Sequence, residues 1–181
     1  MKRFNTFAGW TTMALVCSIL FAGSVYGQQN PKLSDAEVAS VAVVANQIDI
    51  TYADIAREKT KNADILKFAE TMATDHKAVI AQAAALAKKL NVTPLDNAVS
   101  QKLLADAEVT SKALRSASKK NFDKAYIDNE VAYHKAVIGA VEGLLIPETE
   151  NAELKALLVN VVPALKAHLA HAEMVQKKFS K

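Results

Sequence analysis

The chain has 181 residues, 51% hydrophobic and 23% charged, with 22 basic side chains against 19 acidic and a formal net charge of +3. So small an excess, mixed with acidic residues throughout, argues against a nucleic-acid footprint. One cysteine, Cys17, excludes an intrachain disulfide framework.

Residues 1–27, "MKRFNTFAGWTTMALVCSILFAGSVYG", begin with two basic residues, continue through an apolar core and end in small residues. That order predicts a secretory signal peptide cut after Gly27, with Val25 and Gly27 in the small positions before the cut. The apolar core is interrupted by Thr, Ser and Gly and is short of the ~20 residues of a membrane-spanning helix. Cys17 lies inside that core, where a lipoprotein cysteine would not. The expected mature chain, 28–181, is one domain in size. It lacks Trp10 and Cys17, has no apolar run able to span a bilayer, and loses Lys2 and Arg3, which lowers the excess to +1.

In chain order, Ser34 with Glu37 forms a capping box that opens a first helix of about 34–59. Asn62 is placed to cap a second, ended near residue 90 by Asn91 and "VTPLDN". Thr93 or Asp96 opens a shorter third element running to about 117. Asn121 or Asp123 starts a fourth, broken near Leu145 by "IPETEN". The last runs from about Ala152 to Phe179, with Pro163 expected to kink it. No stretch alternates with period two for long enough to make a strand. The expected fold is all-α: an antiparallel four-helix bundle with a short extra helix between its second and third members. Gly139 and Gly143 are read as a point of close approach to a neighbouring helix. Leu66, Met72, Ile80, Val131, Val137, Leu158, Leu165 and Val175 are expected in the core.

Three histidines interrupt the apolar stripes. In the second helix the stripe Ile65, Ala69, Met72, Val79 and Ile80 includes His76. In the fourth, Ile127, Val131, Val137, Ile138 and Val141 include His134. In the last, Leu158, Val161, Leu165, Ala172 and Val175 include His168. Each lies near the midpoint of its helix, and midpoints share one layer in an up-down bundle. Asp49 lies at the centre of the first helix, beside its apolar stripe, where a carboxylate costs free energy unless paired. Glu130 is one turn from His134, as carboxylates that orient liganding imidazoles often are, and Tyr126 shares that face. His171 is placed at a stripe edge. Asp75 is read as solvent-facing or in an interhelical salt bridge.

Three pieces, "ILKFAETMATDHKAV", "FDKAYIDNEVAYHKAVI" and "VPALKAHLAHAE", resemble exported bacterial proteins catalogued as domain of unknown function 4142, regarded as ferritin-like bundles. The resemblance covers about residues 36–176. Its pattern falls on Asp75, His76, Phe122, Asp123, Tyr126, His134, Pro163 and His168. The first helix departs, with Asp49 where the family tends to carry glutamate. The resemblance implies a ferritin-like bundle in the periplasm or cell envelope and no settled activity.

Two functions follow. In one, His76, His134 and His168, with Glu130 and Asp49, hold a divalent transition metal or a small ligand; imidazole suits zinc, copper, nickel and iron. In the other, a structural or stress-related envelope bundle uses the same residues as core polar groups that fix helix register. Di-iron chemistry is disfavoured, because no Glu-x-x-His occurs and "EVAYH" is one residue too long. Without a nucleophile elbow or a phosphate-binding glycine loop, a binding or structural role is favoured over an enzyme.

Overall fold

Cap chemistry fixes where the helices begin. The computed structural model describes residues 32–179, so the expected signal peptide and its cleavage site lie outside the described residues. Helix α1, Asp35–Lys59, starts at Ser34, whose hydroxyl accepts from the Glu37 amide while the Glu37 carboxylate takes the Ser34 amide. Helix α2, Ala63–Leu90, is capped by Asn62 and ends at Asn91, which adopts the left-handed conformation at φ 52°. Helix α3, Ala98–Ser116, begins one residue after Asn97, not at Thr93 or Asp96. Asn97 is the true cap because its side chain takes the amides of Val99 and Ser100. Asp96 instead accepts from the side chain of Gln101 at 3.2 Å.

Helix α4, Lys119–Ala140, starts earlier than Asn121 or Asp123, after Ser118. It passes into a π-helical segment, Val141–Leu145, and a last turn, α5, Ile146–Glu148. The wide turn has a local cause. Pro147 lacks an amide and its ring would press on the carbonyl four residues back, and the Ile146 amide reaches Val141 instead. Helix α6, Ala152–Gln176, carries Pro163 within it and closes in a 3-10 turn, Lys177–Phe179.

Among the described residues there is no strand, and the helices form a bundle. Helix α1 packs mainly on α2 and α3, and α4 on α6. Ion pairs tie α2 to the last helix at both ends, Lys178 to Asp64 at 2.7 Å and Lys89 to Glu153.

The core falls into two apolar clusters. One gathers Ile48, Tyr52, Phe68, Met72, Phe122 and Tyr126, with Val131 and Val175. The other gathers Val38, Val41, Ile138, Leu145, Leu158 and Leu165. Of the expected core, Met72, Val131, Leu158, Leu165 and Val175 are buried, whereas Leu66, Ile80 and Val137 are only half-buried. The close-approach reading of Gly139 and Gly143 is overturned: both are exposed, and a Cβ on either meets nothing within 4 Å.

Candidate metal centre

Between the two clusters lies a polar layer. Asp49 comes from α1, His76 from α2, Glu130 and His134 from α4, and His168 from α6, and all five side chains are buried. Asp49 and Glu130 are fully buried, at 0% exposure, where an ionised carboxylate needs a partner. The three imidazole centroids lie 5.3, 5.6 and 5.9 Å apart. One donor atom from each ring lies within 4.8 Å of the others, and Asp49, Glu130 and His134 form a second such group.

Each ring is held by one nitrogen. The Asn46 amide nitrogen donates to the Ala42 carbonyl at 2.8 Å, which turns its oxygen to His76 Nδ1, 2.7 Å away. An amide oxygen only accepts, so His76 carries its proton on Nδ1. His134 Nδ1 lies 3.0 Å from the Glu130 backbone carbonyl and donates to it. His168 Nε2 lies 2.9 Å from Asp75 Oδ2, across to α2, and donates there. The tautomers are thereby set, and the other nitrogens of the rings carry lone pairs.

Those three atoms, His76 Nε2, His134 Nε2 and His168 Nδ1, are buried and make no hydrogen bond. Asp49 Oδ2 lies 3.3 Å from His76 Nε2 and 3.5 Å from His134 Nε2, with neither contact in hydrogen-bond geometry. Burial, and then the neighbouring imidazoles, hold His76 down to about 3. Burial likewise holds His134 down to about 4. Both rings are neutral at neutral pH.

Burial pushes the Asp49 carboxyl up to about 8. It raises Glu130 well above the usual carboxylate range too, with Asp49 adding to the rise and Asn129 and Tyr126 opposing it. Without a cation Asp49 is mostly protonated at neutral pH. One Asp49 proton can serve one ring, so two of the three lone pairs stay unmatched, at about 1–3 kcal/mol each. A divalent ion would answer all of them and hold Asp49 ionised. Nitrogens bound to one tetrahedral zinc at ~2.0–2.1 Å stand about 3.4 Å apart, so from donor atoms within 4.8 Å of one another the rings would turn inward to coordinate.

The structure therefore brings His76, His134, His168, Asp49 and Glu130 together. Of the two readings of Asp75, it takes the interhelical contact, to His168. His171 is outside the layer, its ring edge-on to Phe68 at 5.2 Å. Asn46 was missed; its signal was an asparagine, a poor helix former, one turn before Asp49. Tyr133 was missed as well. Its hydroxyl donates to the Ala45 carbonyl at 2.8 Å and pins α4 to α1 beside the layer.

A family model described as Domain of unknown function (DUF4142) matches residues 22–175. No curated protein and no solved structure matches the chain.

Proposed function

We propose that this chain, which belongs to the DUF4142 family, holds one divalent transition-metal ion at the layer of His76, His134, His168 and Asp49. The observation that carries the reading is the set of three anchored imidazoles whose remaining lone pairs are buried without a hydrogen bond. Three nitrogens and one carboxylate oxygen form a donor set suited to zinc, with copper and nickel as competitors. Asn46, the Glu130 carbonyl and Asp75 hold the rings from behind, as partners of metal-bound histidines do. Glu130 supplies a second buried carboxylate at the layer, grouped with Asp49 and His134 within 4.8 Å.

The scaffold in this reading is an antiparallel, ferritin-like bundle of α1, α2, α4 and α6, with α3 inserted. The protein works in the periplasm or envelope after removal of residues 1–27, a view supported by the charged, apolar and small-residue order of that segment. Mass measurement on envelope protein should find a chain beginning at Gln28; one beginning at Met1 refutes export with cleavage.

A purely structural layer is the rival, favoured by one observation: Asp49 Oδ2 stands 3.3 Å from His76 Nε2 and 3.5 Å from His134 Nε2, near enough for a slight turn of a protonated carboxyl to bond one ring. Metal analysis of envelope protein purified without chelator separates the two. The binding reading expects about one transition-metal ion per chain; a metal-free protein that takes up none on addition supports the rival.

A further inference from the structure

The polar layer forms one end of a large apolar cavity. Its volume is about 810 Å³, within the range of small-molecule sites, and His76, His134, His168 and Asp49 stand in its wall. It exists because α2 is packed unevenly. Before His76 its inward side chains, Ile65, Phe68 and Met72, are fully buried. After His76 the same stripe continues as Val79, Ile80, Ala83, Leu86 and Leu90, all half-buried and all lining the cavity. Opposite stand Leu154, Leu158, Val161 and Leu165 of α6. Native cores close such spaces to crystal-like density, and water is poorly served by walls with so few polar partners.

Shape and charge select the occupant. The lining follows α2 from His76 to Leu90, about 21 Å at 1.5 Å per residue, which suits a long chain better than a compact ring. The buried imidazoles and carboxylate of the wall are gathered at the layer. A divalent ion on three neutral imidazoles and the Asp49 carboxylate carries one net positive charge, set against the Asp75 carboxylate on His168, and an anionic oxygen would take a fifth position on it, to which zinc sites sometimes expand.

We infer that this cavity binds a long-chain carboxylate, with the aliphatic chain along α2 and α6 and the carboxylate on the metal at the histidine layer. Placement of the head rests on the metal centre proposed above; burial of the chain does not. Exposed alanines of α4, Ala132, Ala136 and Ala140, belong to the wall, so part of the lining is small-sided and reaches the surface.

The test uses palmitate on the full mature protein, with calorimetry and native mass spectrometry, after a separate zinc titration without lipid. Zinc-loaded protein should bind one palmitate, and the metal-free form should bind it at least about ten-fold more weakly. Hexadecanol, with the same chain and no charge, should bind both forms alike. Lysophosphatidylcholine, the phospholipid source of such a chain, should bind more weakly than palmitate. Ala83→Phe and Val161→Phe, each filling the cavity, should abolish palmitate binding while zinc uptake stays unchanged; two variants guard against misfolding of one. Zinc uptake without palmitate binding overturns the inference and leaves the metal centre standing. Palmitate bound equally tightly without zinc overturns placement of the head on the metal. Binding that survives both substitutions overturns the cavity as its site.

Discussion

Asn46 Oδ1 lies 2.7 Å from His76 Nδ1, and the same amide gives its nitrogen to the Ala42 carbonyl at 2.8 Å. The second bond decides the first: with its donor committed to the backbone, the amide can only accept from the ring. His76 must therefore turn its lone pair on Nε2 toward Asp49 and the other imidazoles. Asn46→Leu removes that constraint and leaves the metal ligands in place. Zinc affinity should fall about 10–100-fold with the helical circular dichroism spectrum unchanged. An unaltered affinity would mean that the ring is oriented by packing alone.

The acid at the centre of the layer makes stability depend on pH. Asp49 has a folded pKa of about 8 against an ordinary 3.8, so its contribution is present at low pH and lost as pH rises toward 8. Glu130 acts in the same direction. His76 and His134, with pKa values held near 3 and 4, act oppositely: stability falls as pH drops from about 6.5 through those values. Above pH 7 His76 and His134 are largely neutral whether folded or not, and the carboxyls set the slope. The melting temperature of metal-free protein should fall between pH 7 and 8, whereas Asp49→Asn should flatten that slope. Saturating zinc should remove it too, by binding the ionised carboxylate. A metal-free protein whose melting temperature climbs over that interval contradicts the assignment.

The two sides of the layer should differ in their tolerance of truncation. Phe68 and Met72 are fully buried in the cluster on one side. Met72→Ala should cost about 2–5 kcal/mol. Ile80, on the same stripe two turns later, is half-buried against the cavity, and Ile80→Ala should cost about 1 kcal/mol because fewer contacts are lost. Urea unfolding of both variants measures the contrast. Equal losses would show that the second half of α2 is packed as tightly as the first.

Gly139 is an exposed glycine in a regular helix, and an added Cβ there meets nothing within 4 Å. Gly139→Ala should stabilise the protein by about 0.5–1 kcal/mol through helix propensity and reduced freedom of the unfolded chain. Destabilisation on thermal melting would point to a contact partner for this face.

Much of this architecture was legible in the sequence because it rests on local chemistry. Ser34 with Glu37, Asn62 and Asn91 each satisfy backbone groups within a few residues of themselves, and the ends they predict are the ends observed. His76, His134 and His168 were legible as a set because helical periodicity and midpoint position need no knowledge of packing. What escaped depended on contacts between distant segments. Asn46 acquires its role from a histidine thirty residues away, and Tyr133 from a carbonyl on α1. Ile80 and Val137 belong to convincing stripes, but a stripe shows only which way a face points. It cannot show how closely the neighbouring helix approaches, and at this end of the bundle the cavity intervenes. The glycines misled for a related reason: small residues permit close approach without causing it.

Titrating zinc into chelator-stripped protein decides whether the three anchored imidazoles and Asp49 form a metal site. Calorimetry at pH 7 should show one zinc ion per chain, with release of the Asp49 proton seen as heat that varies with the buffer. His134→Ala should abolish that binding while keeping the helical spectrum. Absence of binding by the native chain, or uptake that persists unchanged in His134→Ala, would contradict the account.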